Sequence, residues 1–217
     1  MESITITLVL IVMTAFISYN AFGNPSLKQK LIFNPYSIKN RGEVHRFLTH
    51  GFIHADWNHL ILNMIMLFFF GPDLENRFYF IFGNIWAPVA YVGFYLSAII
   101  IASLPDYFRH QDFMGYNSLG ASGATSALLM AYIFFGPWNW FIYPPVPAII
   151  LAVGYIWYES YMDRKGGGRI AHNAHLSGAI YGIIFIFVSA QAFAPQYVQA
   201  FFYQLMQGPS LPSFLGG

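Results

Sequence analysis

The distribution of apolar residues divides the 217-residue chain into six long apolar runs separated by polar stretches. A helix needs roughly 20 apolar residues, with a range of about 17–25, to cross the ~30 Å hydrocarbon core of a bilayer. We therefore predict an all-α, polytopic membrane protein, with a single domain over residues 1–217 and a bundle of six transmembrane helices. The predicted spans are roughly 4–22, 57–72, 81–104, 122–135, 147–161 and 174–193, and the tail at 195–217 receives no role.

Composition supports a membrane protein and excludes several other classes. Apolar residues make up 57% of the chain and charged residues 9%, against roughly 25% charged residues in ordinary globular proteins. The formal net charge of +1 gives no basis for nucleic-acid binding. Zero cysteines exclude disulfides, thiol catalysis and thiolate metal sites. We expect neither a metal nor an organic cofactor.

The polar connections carry most of the charge. Residues 23–49 are too polar to span and interleave basic with apolar side chains, so we expect an ordered loop at the membrane interface. Pro72 and Pro105 are expected to end the second and third spans, because proline disrupts a helix interior. Glu75 and Arg77 are expected to cap and anchor the end of the second helix, without a catalytic part.

A serine between small residues opens the fourth span, in the stretch Gly120-Ala121-Ser122-Gly123. Neighbours with little or no side chain leave the hydroxyl of Ser122 accessible, at the positive end of a helix. The 14 residues at 122–135 cover ~21 Å, which places Ser122 on the order of 9 Å below one membrane face. Irregular backbone at that depth is tolerated only beside protein or a water-filled cavity. The length of this span therefore predicts a submerged hydrophilic pocket.

Three polar side chains inside other spans could complete a reactive site with Ser122. Polar groups in membrane helices are costly and mark functional sites by default. His175 opens the sixth span, and an imidazole with a pKa near 6.5 is the usual base for a serine nucleophile. His59 and Asn63 share one face of the second helix and, with the backbone amide of Ser122, are candidate donors to an oxyanion. No acid stands out to orient His175, so a Ser-His dyad is predicted.

Small residues predict how the fourth and sixth helices meet. Gly178 and Gly182 follow His175 at intervals of three and four, and the fourth helix offers Gly123 and Ala127, also four apart. Small residues at this spacing allow two membrane helices to approach closely. The contact would bring His175 beside Ser122.

The motifs that carry this chemistry resemble those of the rhomboid intramembrane serine proteases, in the six-helix form typical of prokaryotes. They are His54-Ala55-Asp56-Trp57-Asn58-His59-Leu60-Ile61-Leu62-Asn63-Met64, Gly120-Ala121-Ser122-Gly123 and Ala174-His175-Leu176-Ser177-Gly178-Ala179-Ile180-Tyr181-Gly182. The resemblance covers nearly the whole chain up to about residue 193. It implies that Ser122 is the nucleophile, His175 the base, and His59 with Asn63 the oxyanion donors.

The resemblance also implies supporting residues, an activity and a location. His50 and His54 match histidines on the approach to the second helix, and Glu75 with Arg77 match the polar turn after it. The implied activity is an endopeptidase that cleaves transmembrane segments of membrane proteins in the lipid bilayer, near an extracytoplasmic face. The implied location is multi-pass, in a bacterial inner (plasma) membrane. Substrate identity and oligomeric state do not follow from the sequence.

Two positions depart from the family pattern. Members often have Trp-Arg in the first loop, where this chain has His45-Arg46. Many members also place an aromatic residue four positions after the nucleophile, where it packs on the catalytic histidine, and here that residue is Ser126. The sequence therefore leaves open how the first loop is anchored and what holds the ring of His175.

The sequence also allows other roles for its histidines. His172, three residues before His175, is a rival base that we expect at the membrane surface, with His175 as the buried imidazole. His50 and His54, four apart, could ligate a metal if they shared a helix, although interfacial hydrogen bonding fits them better because no pair of carboxylates accompanies them.

Two other functions stay open. The first is a catalytically silent rhomboid-like protein that binds or escorts membrane helices, against which the intact Ser122/His175 pair argues. The second is a metal- or haem-containing membrane oxidoreductase built on the seven histidines. Haem ligation needs histidines deep in facing helices, whereas most of these lie at predicted span ends or in loops.

The basic residues conflict with the family in membrane orientation. Six spans place both termini on one side, which the family places in the cytoplasm. The loops at 23–49, 105–119 and 162–172 would then face outward with nine of the ten Lys and Arg residues. The positive-inside rule predicts the reverse.

Overall fold

The computed structural model describes residues 5–141, 145–165 and 171–209. Most of these residues form α-helices, which are joined by loops. Within these ranges the β-structure is limited to two isolated bridges, so the all-α prediction is confirmed. The helices are α1 (Ile6–Phe22), α2 (Pro25–Leu31), α3 (Pro35–Arg41), α4 (Arg46–Thr49), α5 (Trp57–His110), α6 (Ser122–Phe135), α7 (Ala148–Lys165), α8 (His172–Phe193) and α9 (Gln196–Gln207), with a 3₁₀ turn at His50–Phe52.

Several helices have the length and the surface of membrane segments. Among the described residues, α5 and α8 are long and apolar enough to cross a membrane, and α1 and α6 are shorter apolar helices. Large apolar side chains are exposed around the outside of the bundle, for example Phe16 on α1, Phe68 and Ile85 on α5, and Trp157 on α7. Exposed apolar surface of this extent is suited to contact with lipid rather than water.

The path of α5 differs from the predicted second and third spans. Both Pro72 and Pro105 lie inside the helix, which continues to His110, and the break occurs instead at Gly83, with φ of 70° and ψ of 171°. Prolines are tolerated inside membrane helices because neighbouring groups re-satisfy the freed carbonyls. Gly83 has a positive φ that other residues rarely adopt. The break divides α5 into an N-terminal arm (57–82) and a C-terminal arm (84–110).

The role expected for Glu75 was wrong. Its side chain does not cap the end of the second helix but reaches the start of α1, where the carboxylate accepts hydrogen bonds from the backbone amides of Ile6 and Thr7 at 2.9 Å each. The hydroxyl of Thr7 adds a third at 2.8 Å. A carboxylate satisfies amides at a helix N-terminus that would otherwise lack partners. Arg77, by contrast, forms an ion pair with Asp73 and lies over the ring of Phe135.

The short helix α6 is the centre of the fold. Eleven of its fourteen residues are buried, and α5 and α8 pack against it. Its bounds agree with the predicted fourth span, whereas α7 and α8 are longer than predicted, α7 at its C-terminal end and α8 at its start. The start of α6 lies beside the starts of two neighbours, since Gly120 faces the ring of His59 on α5 and Gly123 lies close to Ala174 on α8.

The first connection and the tail both fold onto the bundle. Arg46 is buried, and its guanidinium donates to the carbonyls of Gln29 and Ile32 at 2.8 and 2.7 Å. This shows how the first loop is anchored, since Arg46 ties α2 to α4 together with Thr49, whose hydroxyl donates to the carbonyl of Leu31 at 2.9 Å. At the other end, α9 forms part of the predicted tail, and Phe201 stacks on Phe134 of α6 with ring centroids 5.1 Å apart. The rest of the tail, residues 210–217, lies outside the described residues.

Candidate active site

The loop that leads into α6 is held by two other connections. Phe33 and Ser118 exchange backbone hydrogen bonds at 3.0 and 3.1 Å, and the amide of Gly120 donates to the carbonyl of His50 at 2.9 Å. Gly120 has φ of +118°, a conformation that favours glycine, and its Cα faces the ring of His59. The shape of this loop therefore depends on the segment at 50–54 and on the absence of a side chain at Gly120.

His54 joins the same loop to α1. Its Nε2 accepts the backbone amide of Ala121 at 3.3 Å, which places its proton on Nδ1, and Nδ1–H donates to the hydroxyl of Ser18 at 2.9 Å. That hydroxyl in turn donates to the carbonyl of Phe52 at 3.0 Å. Burial lowers the pKa of His54 to about 3, so the ring is neutral at pH 7, as this bonding requires. The predicted supporting role of His54 rests on these contacts.

Ser122 is the first residue of α6 and is half-buried. It lines a small cavity of about 10 Å³, which is space for about one water molecule. The cavity is also lined by His50, by Gly120 and Gly123 of the loop and helix start, and by Ala174 of α8. Ser122 thus borders a pocket at the junction of the loop, α6 and α8.

The predicted contact between α6 and α8 occurs through the predicted glycines. A methyl group built on Gly178 would overlap the backbone carbonyl of Gly123, and one on Gly182 would overlap that of Ala127. A methyl group on Gly123 would lie 3.3 Å from the carbonyl oxygen of Ala174. The backbones of α6 and α8 are therefore in close contact at Gly123 and Gly178, one residue after Ser122 and three residues after His175.

His175 is held by an acid that the sequence analysis did not identify. Glu159 of α7 is 4% exposed, and its Oε1 lies 3.2 Å from Nδ1 of His175. Its Oε2 lies 2.6 Å from Nδ1 of His172. No acid stands out beside His175 in the sequence, yet the structure places Glu159 against its ring. Glu159 lies inside the span predicted at 147–161, and only the packing of α7 on the start of α8 shows which residues it faces.

The expected burial of the two histidines on α8 was also wrong. The side chain of His172 is 6% exposed and that of His175 is 16% exposed. Glu159 covers His172 from α7, and the ring of Tyr158 lies edge-on to it with centroids 6.0 Å apart. The more accessible imidazole is His175, which is the better placed of the two to meet a substrate.

His59 and Asn63 lie on the face of α5 that is turned toward the loop leading into α6 and the start of that helix. The ring of His59 packs against Gly120, and Oδ1 of Asn63 accepts from the hydroxyl of Thr125 on α6 at 3.0 Å. Nδ2 of Asn63 donates to the carbonyl of His59 at 2.8 Å, and an amide nitrogen has a second N–H to offer. Both side chains border the start of α6, as the predicted oxyanion role requires. That role itself stays a prediction.

One group of side chains has a composition that could hold a metal ion. The ligand atoms of Glu159, His172 and His175 lie within 4.8 Å of one another. The 2.6 Å between Glu159 and His172 is the length of a hydrogen bond, whereas two ligands of one tetrahedral zinc with bonds of ~2.0–2.1 Å lie roughly 3.3 Å apart. We therefore assign hydrogen bonds to this group. His50 and His54 do not share a helix, and both nitrogens of His54 are engaged.

Ser126, in the place of the family's aromatic residue, joins α6 to α7. Its hydroxyl donates to the carbonyl of Ser122 at 2.7 Å and lies 2.6 Å from the hydroxyl of Tyr155. No hydrogen bond joins the side chains of Ser122 and His175 in the described part of the chain. Catalytic hydrogen bonds are often long in ligand-free enzymes and shorten when a substrate binds.

The variant Gly120→Ala tests the geometry of this loop. A methyl group at Gly120 would lie 2.5 Å from Cε1 of His59, in addition to the cost of φ at +118°. We expect the variant to reduce the reaction of Ser122 with a fluorophosphonate probe by about tenfold or more, because the loop and His59 cannot both keep their positions. Gly42→Ala is the matched control, since Gly42 also has a positive φ of 69° but has open space around it. Equal labelling of the two variants would contradict this account of the loop.

The fold and the site define a class of helical membrane protein in which a glycine-rich loop leads into a short central helix, with two histidine-bearing helices packed around it. The family model of the Rhomboid domain matches residues 41–192, and the chain belongs to this family. The family consists of integral membrane proteins, and it includes serine proteases.

Curated relatives agree with this membership. The chain is 27% identical over 190 residues to RHOMBOID-like protein 12, mitochondrial, of Arabidopsis thaliana, covering 78% of this chain and 53% of the relative. It is 30% identical over 167 residues to Rhomboid-related protein 1 of Caenorhabditis elegans, covering 70% of this chain and 42% of that relative. It is 26% identical over 189 residues to Rhomboid protease GlpG of Klebsiella pneumoniae, covering 85% of this chain and 62% of that relative. The chain therefore spans about half the length of the curated relatives it matches.

Proposed function

We propose that this protein is an intramembrane serine endopeptidase that cleaves transmembrane segments of membrane proteins through a dyad of Ser122 and His175. The observation that carries the proposal is the close approach of Gly178, about one turn after His175, to the backbone carbonyl of Gly123, the residue after Ser122. Ser122 and His175 therefore lie near the contact of two touching helices, where their side chains can exchange a proton once a substrate fills the pocket. Membership of a family that includes serine proteases supports the same activity.

The proposed reaction follows ordinary acyl transfer. His175 takes the proton of the Ser122 hydroxyl while the oxygen attacks a peptide carbonyl, and the resulting oxyanion is stabilised by the backbone amide of Ser122 and by His59 and Asn63. His175 then passes its proton to the leaving amine, which leaves an acyl-enzyme. Water entering the pocket gives a proton to His175 and attacks the ester carbonyl, and His175 then returns that proton to the departing Ser122 oxygen. The chemistry needs no metal or cofactor.

The same proposal includes the membrane architecture. The two arms of α5, each of about 26 residues and about 39 Å, together with α1, α6, α7 and α8 make six spans in one domain. The substrates would be transmembrane proteins that reach the pocket through the lipid bilayer, and the membrane would be the inner membrane of a bacterium.

A fluorophosphonate probe tests the proposal directly. We expect the purified, detergent-solubilised protein to be labelled, Ser122→Ala to be unlabelled and His175→Ala to be labelled slowly, because an unactivated serine is a weak nucleophile. Ser97→Ala is the control, since Ser97 is bonded to Tyr181, six residues after His175 on α8, and should not affect labelling. EDTA should have no effect. Labelling that persists in Ser122→Ala would refute the assignment of the nucleophile.

The alternative is a rhomboid-like protein that binds or escorts membrane helices without cleaving them. The observation that favours it is the missing hydrogen bond between Ser122 and His175 in the described structure. Wild-type protein that binds a transmembrane segment but never reacts with the probe would support this second function and contradict the first.

A further inference from the structure

The side chain of Glu159 occupies an interior position that needs an explanation. It is an acidic residue 4% exposed, on a helix whose outer face is apolar. In the described structure its bonded partners are two imidazoles, one at each carboxylate oxygen, and no Lys or Arg is bonded to it. A carboxylate inside a membrane protein is costly unless it is paired, and such residues mark functional sites. The pairing points to a role that involves the histidines.

The direction of the hydrogen bond to Glu159 determines which ring nitrogen of His175 carries the proton. An ionised carboxylate only accepts, so Nδ1 of His175 must donate to Oε1 of Glu159. In a neutral imidazole the other nitrogen is then unprotonated. Nε2 of His175 is left with the free lone pair that a base for the Ser122 hydroxyl needs. In the opposite tautomer the lone pair of Nδ1 would face the carboxylate, which is unfavourable.

One face of α7 makes hydrogen bonds to both of the helices that carry the proposed dyad. Tyr155 and Glu159 are four residues apart and therefore lie on the same side of the helix. Tyr155 is bonded to Ser126, one turn after Ser122 on α6, and Glu159 is bonded to His175 on α8. These two contacts connect α6 and α8 to a common third helix.

We infer that Glu159 is a positioning residue that orients His175 and stabilises its protonated form, so that the proposed Ser-His dyad acts as a Ser122–His175–Glu159 triad. The inference rests on the proposed function. When Nε2 takes the proton of Ser122, the imidazolium keeps its Nδ1–H bond to Oε1, and the negative carboxylate offsets the new positive charge. Glu159 is never protonated in the cycle, and the proton goes from Ser122 through His175 to the leaving amine.

The variant Glu159→Gln separates this role from a structural one. Glutamine keeps the size and one acceptor oxygen but loses the charge. We expect kcat for cleavage of a transmembrane substrate in liposomes to fall by about 10²-fold or more, with KM and the thermal midpoint close to wild type. Glu159→Asp should recover part of kcat because it restores the charge at a shorter reach, and Glu159→Ala should lose kcat at least as fully as the glutamine variant.

Asp163→Asn is the matched control. Asp163 lies one turn further along α7 and is paired with Arg109 at 2.8 Å rather than with an imidazole. We expect its kcat to equal that of the wild type. Equal effects of the two amide variants would contradict a specific role for Glu159.

The outcomes distinguish failure of the inference from failure of the proposed function. Loss of cleavage in Ser122→Ala together with normal kcat in Glu159→Gln would overturn the triad and leave the dyad intact. Cleavage that persists in Ser122→Ala would remove the basis for both. A thermal midpoint that falls in proportion to kcat in Glu159→Gln would show a structural role only. Loss of wild-type activity in EDTA, restored by zinc, would show a metal centre in place of the hydrogen bonds.

Discussion

Ser122→Ala and His175→Ala are each expected to lower kcat/KM for cleavage of a transmembrane substrate by on the order of 10⁴-fold or more, the scale found when a member of a serine–histidine unit is removed. The physical reason is that the hydroxyl and the imidazole act in one step. Without the base the hydroxyl stays protonated and weakly nucleophilic, and without the hydroxyl no acyl-enzyme forms. The measurement is single-turnover cleavage in liposomes, where binding and chemistry can be separated.

The double variant provides the stricter check. Residues that act as a unit give non-additive losses, so Ser122→Ala/His175→Ala should be about as inactive as either single variant. Losses that multiply would show that the two residues act independently, against the proposed dyad.

His172→Ala decides between the two histidines of α8. His172 shares Glu159 with His175 but is the more deeply buried of the two imidazoles, with 6% of its side chain exposed against 16%. We therefore expect a much smaller loss than for His175→Ala. The reverse order of effects would make His172 the base.

Gly178→Ala is expected to destabilise the protein by about 1–3 kcal/mol, the typical cost of overpacking. The added methyl group would overlap the backbone carbonyl of Gly123. Backbone cannot rotate away as a flexible side chain can, so α6 and α8 must separate. The same displacement moves Ser122 from His175, so activity should fall together with stability. Thermal inactivation in detergent measures the first effect, and probe labelling measures the second.

Gly154→Ala is the control for this variant. Gly154 lies on α7 with open space where a methyl group would be added, so alanine should stabilise the helix by about 0.5–1 kcal/mol. Gly178→Ala/Gly182→Ala should cost less than the sum of the single variants, because helices that are already separated leave room for the second methyl group. A Gly178→Ala protein as stable as Gly154→Ala would contradict the close contact.

Features that depend on local composition were predicted most accurately from the sequence. The bounds of α6 followed from a glycine-rich start and a Gly-Pro end, and its contact with α8 followed from Gly123, Gly178 and Gly182. These glycines indicate a helix–helix contact without further information, because small residues in membrane helices have few uses besides close packing. The all-α class was predictable for the same reason, from the lengths of apolar runs.

Features that depend on distant partners could not be predicted. Pro72 indicates a helix end by its chemistry, yet neighbouring helices allow it inside α5, and nothing local distinguishes Gly83 as the actual break. Glu75 and Glu159 are single acidic residues at the edge of apolar runs, a position typical of helix ends. Their partners lie 68 and 16 residues away, at the start of α1 and on α8. Only the assembled fold brings these groups together.

The link from Ser18 through His54 to Ala121 has a consequence for dissecting this protein. The Rhomboid match begins at residue 41, so a fragment cut to that region would retain every proposed catalytic group and lose α1. It would also lose the only hydroxyl that receives the Nδ1 proton of His54 in the described structure. We therefore expect a minimal active fragment to require the first helix, although that helix carries none of the proposed catalytic groups.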